Sequence, residues 1–178
     1  MKNNIYLIGM MGSGKSTIGK LLAKNIYYKF IDVDDFIVNH SAYESINEIF
    51  EQKNEEFFRT LENDAMKELS GFEKTVIATG GGVILNKEHI QIMHSTGIVI
   101  YLESDIENLV RRLKDAKDRP LLKGVDLEKK LERLFNKRER LYSQAANLKI
   151  DISAKDKNNI IERIIKLLEG DYDEYISD

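Results

Sequence analysis

Between an apolar run (Ile5, Tyr6, Leu7, Ile8) and a helical pattern at 17–24 stands Gly9-Met10-Met11-Gly12-Ser13-Gly14-Lys15-Ser16, a complete G-x-x-x-x-G-K-S loop. A buried strand passing through a glycine loop into a helix confines the chain to architectures in which strands feed covering helices. The glycines let the backbone curl so that successive N–H groups point at phosphate oxygens, Lys15 can reach the β- and γ-phosphates, and the Ser16 hydroxyl can coordinate Mg²⁺. The loop predicts a bound nucleoside triphosphate, with Gly12, Ser13, Gly14, Lys15, Ser16 and Thr17 as the residues against it. It does not by itself separate kinases from switches, motors or synthetases.

Further apolar runs read as strands at 4–9, 30–33, 75–79, 98–102 and 148–152, with helical patterns at 45–69, 87–94, 105–113 and 127–145. A last helix carries Ile160, Ile161, Ile164, Ile165 and Leu168 on one face, a core stripe. Ser45-Ile46-Asn47-Glu48 and Ser104-Asp105-Ile106-Glu107 both match the capping box. Alternation of this kind predicts an α/β fold, a parallel sheet of about five strands flanked by helices as in phosphate-loop nucleotide-binding proteins. The excursion over 34–74 is too long for a simple crossover and reads as an inserted helical lobe that binds substrate. The whole is expected to be one domain over 1–170, with a loose acidic tail over 171–178.

Composition removes other classes. The chain of 178 residues has no cysteine, which excludes thiolate zinc sites and thiol catalysis. Its 27 basic and 30 acidic residues give a net charge of −3, against a general nucleic-acid binder. No long apolar segment or small-residue cleavage site follows Met1, so neither a membrane span nor a signal peptide is expected. His40, His89 and His94 lack metal-ligand spacing and read as ordinary surface or partly buried residues.

In a parallel sheet ligands collect beyond the carboxyl ends of the strands. After the second run comes Asp32-Val33-Asp34-Asp35. Asp32 could hold the metal directly or through water, and Asp34 would project to the same side if the strand continues, free to accept or orient a hydroxyl proton. Asp35 is left to helix capping. After the third run, Gly80-Gly81-Gly82 is entropically costly for a mere turn, and its N–H groups make a seat for a carboxylate or phosphate.

These features, with Phe58-Arg59 and Glu62, Ala78-Thr79, Arg119-Pro120-Leu121-Leu122 and Arg138 followed by Leu141-Tyr142, resemble the shikimate kinase family over about 5–168. The resemblance implies ATP-dependent phosphorylation of the shikimate 3-hydroxyl. The substrate carboxylate would be gripped by Arg59, Arg138 and the backbone of Gly80, Gly81 and Gly82. Asp34 would take the ring hydroxyls, Ser16 and Asp32 the Mg²⁺, and Lys15 and Arg119 the transferring phosphoryl group. Arg112 matches a position that packs on adenine, and Ile152-Ser153-Ala154-Lys155 would border the base. The polar stretch 114–126, holding the only proline, Pro120, resembles the family's mobile lid. The expected catalytic set is Lys15, Asp34 and Arg119. The expected partners are shikimate and ATP, without nucleic acid or membrane, in a cytoplasmic monomer.

Two alternatives compete. A gluconate or nucleoside monophosphate kinase would share the fold, but a nucleotide acceptor calls for more phosphate-binding arginines and a second base pocket. A GTPase switch would need N-K-x-D, and Asn86-Lys87-Glu88-His89 ends in the wrong residue.

Overall fold

The computed structural model describes residues 4–115, 127–153 and 156–170. Five strands, β1 (Asn4–Ile8), β2 (Lys29–Asp32), β3 (Thr75–Ala78), β4 (Gly97–Glu103) and β5 (Leu148–Asp151), form one parallel sheet in the order β2-β3-β1-β4-β5. The expected α/β architecture and strand count are therefore found. The helices are α1 (Lys15–Asn25), α2 (Val33–Asn39), α3 (Ile46–Gln52), α4 (Glu55–Leu69), α5 (Lys87–Thr96), α6 (Ile106–Asp115), α7 (Leu127–Ala145) and α8 (Lys157–Glu169).

Side chains alternate across β1, so one strand serves two cores. Ile5 and Leu7 join Ile18 and Leu22 of α1 and Ile160, Ile161 and Ile164 of α8 on one face. Tyr6 and Ile8 join Ile37, Ile49, Met66, Met93 and Tyr142 from α2, α3, α4, α5 and α7 on the other. The order of the sheet reverses at β1, which lies between β3 and β4. The carboxyl end of β1 therefore opens on the crevice of a switch point, and the glycine loop stands there.

Three local expectations need correction. The second strand ends at Asp32 and α2 begins at Val33, so Asp34 is not on a continuing strand. Asp32 itself caps that helix, accepting the Asp34 N–H at 3.1 Å, and the turn brings both carboxylates to one cleft. The stretch 45–69 is two helices, because Asn54 stops one and caps the next by accepting the Phe57 N–H at 2.9 Å. At α6 the capping carboxylate is Asp105, which accepts the Asn108 N–H at 2.7 Å, while the Ser104 hydroxyl is buried without a hydrogen bond among the described residues. The lobe expected over 34–74 holds most of α2 with α3 and α4. The 114–126 stretch apart from its first two residues, and the 171–178 tail, lie outside the described residues.

Candidate active site

The phosphate loop is built from backbone. Gly14 caps α1 in the left-handed region at φ 81° and offers no side chain, so the first-turn N–H groups of α1 are not consumed by a cap. With the positive end of the helix dipole behind them, they form an anion seat. Lys15 donates through Nζ to Gly9 O at 2.9 Å and Met10 O at 3.0 Å, which holds its ammonium against the loop. Ser13 is fully buried and its N–H donates to Met10 O at 3.2 Å, so it stiffens the loop from beneath and does not face the cleft.

A cleft of about 330 Å³ opens over this loop, lined by Gly12, Gly14, Lys15, Ser16 and Thr17, by Asp32 and Asp34, by Gly80 and Gly81, and by Arg112. Sequence segments far apart in the chain thus meet in one space. Ser16 Oγ donates to Asp32 Oδ2 at 2.5 Å. A hydroxyl and a carboxylate meeting beside an anion seat are hard oxygen donors suited to Mg²⁺, which keeps few protein ligands and completes its shell with water and phosphate.

Asp34 is mostly buried, and burial pushes its carboxyl up to about 6, with the charges of Asp32 and Glu62 adding to the rise and Lys15 opposing it. A carboxylate poised there is ionised at neutral pH yet basic enough to take a proton from a hydroxyl in transfer. Asp35 points to solvent in the first turn of α2, outside the cleft.

Beside the cleft lies a second seat. Arg59 on α4 donates through Nη1 to Glu62 Oε2 at 2.7 Å and through Nη2 to the exposed Glu55 at 3.0 Å. Its guanidinium rests against Gly82, where an added Cβ would lie 2.8 Å from Nη1, and Glu62 is packed against Gly80 in the same way at 3.1 Å. Both contacts show how closely the ends of the Arg59 and Glu62 side chains approach this backbone. Arg138 on α7 donates to Gly81 O at 3.2 Å. The N–H groups of Gly80, Gly81 and Gly82 make no hydrogen bond to another described residue. Two guanidinium groups and a row of backbone donors suit a carboxylate.

Arg112 on α6 donates to Ile152 O at 3.0 Å and lies against Gly14. With Gly12, Gly14 and Thr17 it lines both the cleft and a second cavity of about 450 Å³ that Lys157 and Ile160 line from α8. Arg119, Ala154 and Lys155 lie outside the described residues.

Sequence reasoning left Glu62 without a role, although its spacing of three from Arg59 puts both on one helical face, and it is 2% exposed. It also misread His89. The ring is buried, and burial holds its pKa below the usual histidine value. Asn86 Oδ1 is occupied as the cap of α5 by the Glu88 N–H, so Asn86 Nδ2 donates to Asn63 Oδ1 at 2.8 Å and His89 Nε2 must donate to the same oxygen at 2.6 Å. That shared acceptor ties α4 to the start of α5.

Fold and cleft define a nucleotide-dependent kinase of the phosphate-loop class. The shikimate kinase family model matches residues 11–169. A shikimate kinase from Microcystis aeruginosa is 43% identical over 163 residues, covering 91% of this chain and 84% of that protein. One from Synechococcus sp. is 44% identical over 168 residues, covering 94% and 85%. The chain belongs to the shikimate kinase family. Among solved structures, the Acinetobacter baumannii shikimate kinase in complex with shikimate superposes with a TM-score of 0.88 at 34% identity, covering 97% of this chain and 96% of that one. A gluconokinase from Sinorhizobium meliloti, 17% identical with a TM-score of 0.64 and covering 96% and 98%, shares the fold alone.

Proposed function

We propose that this chain transfers the γ-phosphoryl group of ATP to the 3-hydroxyl of shikimate, giving shikimate 3-phosphate and ADP. The observation that carries the reading is the place of Asp34. Its carboxylate lines the phosphate-loop cleft with Lys15, and Oδ1 comes within 3.5 Å of where a Cβ on Gly80 would sit. An acceptor whose carboxylate rests on Arg59, Arg138 and the glycine N–H groups would present its ring hydroxyls to Asp34, on the side of the transferable phosphate.

In this reading Asp34 orients the attacking hydroxyl and takes its proton as the bond to phosphorus forms. Lys15 leaves its loop carbonyls for the β- and γ-phosphate oxygens, and the α1 N-terminus holds the rest of the chain of phosphates. Ser16 and Asp32 would hold Mg²⁺, which when bound neutralises charge on the β- and γ-phosphates. Arg112 would pack on the adenine. Arg119 is assigned by the resemblance to the transferring phosphoryl group. Among the described residues no helix is long and apolar enough to cross a membrane. A cytoplasmic monomer is part of the proposal and follows from the resemblance alone.

The test is product identity. Incubation with ATP, Mg²⁺ and shikimate, followed by phosphorus and proton NMR, is expected to show one phosphate ester at the 3-hydroxyl and one ADP per ester. An ester at another hydroxyl, or ADP released without ester, contradicts the proposal.

A further inference from the structure

The seat for the acceptor carboxylate contains a weak point, the peptide between Gly81 and Gly82. Flanked by glycine on both sides, it meets little steric resistance to a flip. The described backbone has no cis peptide, so turning this carbonyl toward α7 turns the Gly82 N–H away from α7. A flipped peptide would exchange donor for acceptor at a seat that must receive an anion, and repel it.

Two groups hold the Gly81 carbonyl. Arg138 Nη1 donates at 3.2 Å and Tyr142 Oη at 2.5 Å, from positions one turn apart on α7. They are not equivalent. Arg138 is half-exposed, and in the proposed complex its guanidinium is needed by the substrate carboxylate. Tyr142 is completely buried, its ring stacked on Tyr101 of β4 with centroids 5.2 Å apart and planes at 19°. Burial pushes the phenol up to about 12, so it remains a donor throughout the working range of pH. Its other polar neighbours among the described residues are the weak acceptor Met10 Sδ at 3.8 Å, in the phosphate loop, and the Arg138 guanidinium, which shares the Gly81 carbonyl with it.

We propose that Tyr142 is a positioning residue for the acceptor carboxylate: it fixes the Gly81–Gly82 peptide with its N–H toward the seat when Arg138 turns to the substrate. This rests on the functional reading above, with shikimate in that seat. Tyr142 touches neither substrate nor nucleotide in this role. It acts through the orientation of one peptide.

The test is Tyr142→Phe, which removes one oxygen and keeps the ring stack. Full-length wild type and Y142F are compared by steady-state kinetics with shikimate, and by competition binding of shikimate and of its analogue carrying CH₂OH in place of the carboxylate. Loss of one buried hydrogen bond to the seat is expected to raise the shikimate KM about tenfold, with the ATP KM within about twofold and the melting curve still cooperative. The analogue's affinity is expected to be the same in both proteins. An unchanged shikimate KM overturns the proposal, as does an equal loss for shikimate, analogue and ATP, which marks a general loosening of α7. If wild type itself does not turn over shikimate, the functional reading falls, and this inference with it.

Discussion

Asp34 carries opposed demands. Its carboxyl is raised to about 6 from the ordinary 3.8, so between those values the folded chain binds more protons than the unfolded one. Stability from this group is therefore present at low pH and lost as pH rises through about 6. At pH 7.5 the ionised form costs on the order of 3 kcal/mol, so Asp34→Asn is expected to raise the melting temperature while turnover falls by orders of magnitude. Calorimetry and an ADP-release assay on the same preparation check both halves; a lowered melting temperature contradicts the assignment of strain to Asp34. In wild type, kcat/KM for shikimate is expected to drop as pH falls below about 6, read from a pH profile at constant ionic strength. Arg59→Ala is expected to weaken shikimate by roughly 1.5–3 kcal/mol and ATP far less, measured by titration calorimetry of each ligand. Equal losses would give Arg59 a structural role. Most of these residues were legible because motif chemistry dictates their type. Glu62 and His89 were not, since their importance lies in burial against segments distant in sequence, which one-dimensional spacing does not encode.

Among the elements, the errors of the sequence reading fall at boundaries where a side chain competes with a continuing pattern. Hydrophobic periodicity runs through Lys53 and Asn54, but the Asn54 carboxamide claims the Phe57 N–H and restarts the helix. Asp32 does the same after β2, converting an expected extended Asp-x-Asp into strand end and helix cap. The placement of Arg59 depends on the first break, because α4 sets its own axis only after Asn54. Asn54→Ala is expected to cost about 1 kcal/mol of stability, and to raise the shikimate KM more than the ATP KM. Denaturant titration and kinetics check this, and an unchanged shikimate KM would detach the cap from the site. A cost of the opposite kind sits at Tyr27, non-glycine at φ 57° and 94% exposed at the end of α1. Tyr27→Gly is expected to stabilise by about 0.5–1 kcal/mol, since it relieves a left-handed residue and forfeits no packing.

Over the whole molecule, the sheet order gathers the groups of the proposed site at the carboxyl ends of its strands: β1 leads into the phosphate loop, β3 into the glycine run, and β2 into Asp32 and, through the start of α2, Asp34. The fold class was readable from alternation alone, whereas the order β2-β3-β1-β4-β5 was not, because strand neighbours are fixed by crossovers and packing. This arrangement accepts, in the proposed reading, a cyclic polyhydroxy carboxylate in place of a nucleotide or an open-chain sugar acid. Coupled ADP release, measured with Mg²⁺-ATP and with shikimate, gluconate or nucleoside monophosphates as acceptor, tests it most directly. The expected result is turnover with shikimate at a kcat/KM at least about 100-fold above every other acceptor, a difference of about 2.7 kcal/mol in transition-state binding. Rapid turnover of gluconate or a nucleoside monophosphate, with none of shikimate, would contradict it.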